Sequence, residues 1–172
     1  ALRLHSSLLY QNDNVIVTTG YRKVHDEGTP GYSDTRADIG MVQMMMPAKG
    51  GTLTIRSDTV RYDMGELVPG EWESMTGTCF SGGCNPAGGK TRATGSLIAA
   101  AWDNGVWAFD IGTTPIGFHY TDITGALSYS FNWGDTSLTA EAYRRAKDAS
   151  LLAYGGQRDP ATGKWWGGVR RT

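Results

Sequence analysis

The sequence predicts an all-β protein built as a meander of antiparallel strands, and three observations carry that expectation. Glycine occurs 24 times in 172 residues, well above its usual share of roughly 7 %, and much of it falls in clusters that read as turns. Aromatic residues make up 10 % of the chain, so this is not a glycine-rich segment without large groups to pack. Apolar and polar residues also alternate over short segments, the period of a strand with two unlike faces.

The elements follow in order. Residues 14–24 are β-branched and aromatic, a strand composition. Gly28-Thr29-Pro30-Gly31-Tyr32-Ser33-Asp34 must be a turn or loop. A second strand spans 35–46 and stops at Pro47; Lys49-Gly50-Gly51 then turns into a third over 52–63. There Leu53 and Ile55 share one face, while Thr54, Arg56 and Asp58 share the other. Residues 64–91 read as a long loop, of a length usually reserved for function.

A fourth strand is expected over 92–103, and Asp103-Asn104-Gly105 is a hairpin signal of the type I′ kind. Strand five (106–113) sets Trp107, Phe109 and Ile111 against Ala108 and Asp110. Strand six (119–132) sets Leu127, Tyr129 and Phe131 against Ala126, Ser128 and Ser130. Strand seven (136–145) sets Leu138, Ala140 and Ala142 against Thr139, Glu141 and Tyr143. Several strands exceed the ~5–6 residues typical of soluble sheets and approach the ~9–11 needed to cross a bilayer at a tilt.

Composition excludes some classes. The 16 basic and 17 acidic residues are interspersed and leave a net charge of -1, so no basic stripe for nucleic acid is present. No run reaches the ~18–20 apolar residues of a membrane helix, which leaves barrel strands open. The chain opens at Ala1 without an initiator Met or a signal-peptide pattern and reads as a mature or excised product. Cys79 and Cys84 lie five positions apart in a Gly-rich segment with no nearby His, which is too poor for zinc. A small disulfide loop in an oxidising compartment is expected, the alternative being two free thiols.

Four blocks carry a family resemblance: Gly28–Asp34, Asp110-Ile111-Gly112-Thr113-Thr114-Pro115-Ile116-Gly117-Phe118, Ser150-Leu151-Leu152-Ala153-Tyr154-Gly155-Gly156-Gln157 and Lys164-Trp165-Trp166-Gly167-Gly168-Val169-Arg170. In this order, with the Arg144-Arg145 pair and the Cys79/Cys84 loop, the chain resembles the C-terminal domain of the bacterial cellulose-synthase operon protein C, an outer-membrane cellulose export channel. The resemblance covers about the first half of that domain. It implies an outer-membrane β-barrel that conducts a β-glucan, with lipid around it. A polymer-wide channel needs roughly 16 strands, and seven or eight are read here. The chain is therefore expected to be part of a barrel, a half that self-associates to complete one, or a shortened relative. In the last case it forms a small closed barrel or a sandwich, periplasmic or secreted.

The chemistry expected of the residues follows from contact with a polysaccharide. Flat aromatic faces stack on sugar rings, so Trp72, Trp102, Trp107, Trp165 and Trp166 are candidates; the bland reading is an interfacial girdle or a core. Arg56, Asp58, Asp110 and Glu141 are charges inside strand patterns, suited to a polar lumen. The competing class is a soluble β-1,4-glucan-active protein, a binding module or a glycoside hydrolase. Hydrolysis requires two carboxylates about 5–9.5 Å apart, for which Asp58, Asp110 and Glu141 are the candidates, with Asp103 and Asp122 behind them. His5, His25 and His119 lack metal-ligand spacing, no phosphate-cradling loop or G-x-S-x-G nucleophile is present, and no cofactor is implied.

Overall fold

The structure is a computed structural model that describes residues 2–12, 15–30, 34–67, 89–147, 151–158 and 163–172. Eight long strands come first: β1 (Leu2–Asn12), β2 (Val15–Asp26), β3 (Thr35–Ala48), β4 (Gly51–Leu67), β5 (Gly89–Asp103), β6 (Trp107–Thr113), β7 (Ile123–Trp133) and β8 (Thr136–Ala146). A short helix, α1 (Leu151–Gly155), follows, then β9 (Gln157–Arg158), β10 (Trp165–Trp166) and β11 (Arg170–Arg171). β1 to β8 lie side by side in chain order, all neighbours antiparallel, and β11 adds to the far side of β8. β9 and β10 pair separately.

This is the expected meander, in open form: β1 and β11 are the two edges of the sheet. The described strands are neither a small closed barrel nor a sandwich. β1 itself was not anticipated. Several boundaries also move. β4 runs on to Leu67 and β5 begins at Gly89, so the first and last residues of the loop expected over 64–91 are strand. Trp72, Cys79 and Cys84, the last two with their expected disulfide, lie outside the described residues. Pro47 does not end its strand. The β2 partners of β3 stop at Met45, and Pro47 pairs only with Thr52 of β4, so its missing N–H deprives no central ladder. The Asp103–Trp107 connection is not type I′. Gly105 alone has positive φ (84°), and Asn104 Oδ1 accepts from the backbone N–H of Val106 and Trp107, which makes it a longer, side-chain-braced loop.

Register assigns every strand residue to a face. On one face stand Ala37 and Ile39 of β3, Val60, Tyr62 and Met64 of β4, and Ala93 and Leu97 of β5. They are buried or half-buried because Phe118 and the α1 residues Leu151 and Tyr154 fold over them. The cover is stitched to itself and to the sheet: Ser96 and Ile116 exchange backbone hydrogen bonds, Tyr120 N–H donates to Gly155, and Val169 N–H donates to Ala153. Gly95 makes room for it, since a β-carbon there would stand 2.6 Å from the Ile116 carbonyl oxygen. This is the capped face.

The other face is bare. It displays Val42, Ile55, Ile98, Phe109, Ile111, Leu127 and Phe131, all exposed. Toward the end where β3–β4, β5–β6 and β7–β8 are joined by short turns, aromatic residues gather: Trp102 stacks on Phe109 at 5.6 Å, Trp107 meets Tyr129 at 4.5 Å, and Trp133 is 77 % exposed. Toward the opposite end the same face turns charged, with Lys23, Arg36, Asp38, Arg61, Asp63 and Arg92 in lateral register. An apolar band thus lies between an aromatic rim and a charged strip. No helix among the described residues is long and apolar enough to cross a membrane.

Candidate functional site

On the capped face, where the cover ends, a cavity of about 250 Å³ opens. Its wall includes Arg56 and Asp58 of β4, Asp110 of β6, Thr124 of β7, Arg145 of β8, and Tyr154 of α1. Strand alternation brings them together: Asp58 lies opposite Leu97, Arg56 opposite Ala99, Ala99 opposite Gly112, and Asp110 opposite Ala126. Ala99, Gly112 and Ala126 between the charges are small, so long side chains reach across the strands.

Two arginine–carboxylate pairs dominate. Arg56 donates from Nε and Nη2 to the two oxygens of Asp58 at 2.7 and 2.5 Å. Arg145 donates from Nη1 and Nη2 to Asp110 at 2.5 and 2.6 Å, spanning β7 to reach it. Such two-point contacts fix orientation as well as charge. Asp58 is buried behind its arginine (side chain 3 % exposed), whereas Arg56 and Arg145 are each 43 % exposed. The arginines therefore present donors to the cavity, and the acids stand behind or beside them as counter-charges.

Outside the cavity, just before β7, a third carboxylate ties β8 to β11 at the edge of the cover. Asp122 accepts from Arg144 Nη1 and Nη2 at 2.9 and 2.5 Å and from Arg170 Nε at 3.2 Å. Arg144, then the backbone N–H of Ile123, then Arg170 hold its carboxyl below the usual carboxylate range, against a smaller opposing effect of desolvation.

Of the residues singled out in the sequence, Arg56, Asp58 and Asp110 meet in this cavity. Glu141 stands on the same face, opposite Ser128, but does not line it. Trp102 and Trp107 are on the bare face, the former donating from Nε1 to the Ala48 carbonyl at 2.8 Å. Trp165 and Trp166 lie in the cover: Trp165 stacks flat on His119 (3.8 Å, 6°), and Trp166 is half exposed. Asp103 is a turn residue that accepts from the Gly105 N–H. The role of Arg145 was not read from sequence beyond its place in a resemblance. The signal was there: adjacent arginines in an alternating strand must serve opposite faces, and Arg144 takes Asp122 while Arg145 takes Asp110.

Fold and site define a class: an all-β meander protein whose strands carry an apolar band on one face and a hydroxyl- and charge-pair-lined surface on the other. Residues 33–172 match the family described as cellulose synthase operon protein C C-terminus, and the chain belongs to that family. It is 39 % identical over 175 residues to the cellulose synthase operon protein C of Escherichia coli (strain K12), covering 98 % of this chain and 15 % of that protein. The namesake from Salmonella typhimurium is 38 % identical over the same shares, and that of Pseudomonas fluorescens 29 % identical over 88 % of the chain and 12 % of its own length. The chain thus spans 15 % or less of these relatives.

Proposed function

We propose that residues 1–172 form a single β domain that is part of the wall of an outer-membrane β-barrel, with the bare face toward lipid and the capped face toward a lumen that passes a β-glucan. The role in cellulose production follows from the family. Export, the membrane and the glucan contact are our reading, carried by one observation: the same strands bear an apolar, aromatic-rimmed band on one face and the Arg56–Asp58 and Asp110–Arg145 pairs on the other. Lipid-facing barrel strands alternate in this way, with short turns at the periplasmic end and longer loops outside. On that rule the cover lies toward the cell exterior, and Trp165 and Trp166 are aromatic contacts for glucan there. Trp102 and Trp107 join the interfacial girdle. Closure comes from pairing of the two sheet edges, β1 on one side and β8 with its short partner β11 on the other, with further strands, whether of a second copy or of the same polypeptide.

Passage needs weak, repeated contacts rather than chemistry, and hydroxyl groups find them at the arginine N–H donors and at Thr124 and Tyr154. The test is expression in the envelope of a Gram-negative host, followed by membrane fractionation and electrophoresis with and without boiling. A barrel wall gives an outer-membrane band whose migration changes on heating. Recovery as a freely soluble monomer with unchanged migration would rule the reading out.

A further inference from the structure

The cavity wall contains two arginines, yet neither is an isolated cation. Each is locked by two hydrogen bonds of 2.5–2.7 Å to its own aspartate. This leaves Arg56 Nη1 and Arg145 Nε without a hydrogen-bond partner among the described residues, as donors whose charge is already cancelled. An unpaired guanidinium in a confined, partly desolvated groove would draw anions strongly, because low-dielectric walls focus its field. A paired one keeps its N–H geometry while its field falls off as that of a dipole.

We infer that Asp58 and Asp110 are specificity residues: by cancelling Arg56 and Arg145 they fit the cavity to an uncharged, hydroxyl-rich glycan and keep it from retaining an anionic polymer such as a uronate chain. The inference rests on the lumen reading above and names the substrate class of that site. The burial of Asp58 behind its arginine accords with it. An acid meant to bond sugar hydroxyls directly would be well exposed, whereas the Asp58 side chain is 3 % exposed and both of its oxygens are taken by Arg56. Ala99 and Gly112, beside the two pairs, add no further charge to the wall.

The experiment is ion selectivity and current block of the protein, assembled in the outer membrane and extracted in detergent, in planar bilayers. Wild type is expected to discriminate weakly between potassium and chloride and to be insensitive to oligogalacturonate. Asp58→Asn with Asp110→Asn should raise the chloride-to-potassium permeability ratio roughly two- to fivefold and make oligogalacturonate a blocker. Removing both partners (Arg56→Gln, Asp58→Asn, Asp110→Asn, Arg145→Gln) should restore the wild-type ratio, an outcome that a purely structural role for the aspartates would not produce. Asp110→Asn alone, at the more exposed pair, should give a part of the shift and keeps the test alive if loss of buried Asp58 impairs assembly. Conducting variants with unchanged selectivity, or a wild type already strongly anion-selective, would overturn the inference and leave the barrel reading standing. A wild type that forms no conducting pore would overturn the barrel reading, and this inference with it.

Discussion

Gly155 lies against the ring of Phe118 so closely that a β-carbon at position 155 would stand 2.2 Å from Cδ2. Phe118 cannot retreat, because Tyr62 and Tyr154 meet it edge to face at 6.1 and 5.7 Å. Gly155→Ala is therefore expected to destabilise the cover by about 1–3 kcal/mol, the usual cost of overpacking. Gly40→Ala, where nothing lies within 4 Å, serves as the control. Urea unfolding followed by tryptophan fluorescence distinguishes them, and equal midpoints would mean the cover does not depend on this contact.

Met64 is fully buried on the capped face, its sulfur 3.3 Å from the Thr35 hydroxyl. Met64→Ala should cost about 2–5 kcal/mol through lost burial and the void left behind. Ile98→Ala on the bare face, where the side chain is exposed, should change stability in detergent little. Comparable losses at the two positions would contradict the assignment of faces.

Charge placed on the two faces gives a sharper comparison. Ile111→Arg and Leu127→Arg put a cation into the apolar band and are expected to weaken membrane insertion by about 2–4 kcal/mol if the site lies near the bilayer midplane. Ser128→Arg, the next residue along β7 but on the opposite face, should insert with near-normal yield. Folding yield into lipid vesicles reads this directly. Equal yields for Leu127→Arg and Ser128→Arg would remove the case for a lipid-facing side.

Asp122 predicts an acid response. Its folded-state carboxyl lies below the ordinary value, chiefly through Arg144. The tie is therefore at full strength above the unfolded value near ~3.9 and is lost as pH falls through the lower folded value. Wild type should loosen its cover in that acidic window, seen as increased quenching of Trp165 and Trp166, whereas Asp122→Asn should be loosened at neutral pH and show no further step there. An identical acid profile for both proteins would exclude Asp122 as the group responsible.

Much of this was legible because a strand has a period of two. The alternations Leu53/Thr54/Ile55/Arg56 and Leu127/Ser128/Tyr129/Ser130 predicted which side chains share a face, and the register confirms them. β1 escaped notice because Ser6-Ser7 and Leu8-Leu9 break that alternation; its strand character rests on β2, with which it pairs along its whole length. The cover was illegible for a related reason. Phe118, Leu151 and Tyr154 sit in irregular or single-turn segments without periodicity, and only the fold reveals that they land on Tyr62. The cavity was half legible: the charges in strands three and five were evident, but the partner of Asp110 lies two strands away, a distance no local pattern encodes.

The strict chain-order arrangement of the strands has a kinetic consequence. Every long strand finds its neighbour one turn or one connection away, so loop-closure entropy is paid in small steps and the sheet can grow by adding successive hairpins. Only the cover breaks this economy of distance, since the segment around Phe118 must meet α1 after β7 and β8 have intervened. The sheet should therefore be largely formed before the cover settles on it, which makes docking of the cover the late event of folding.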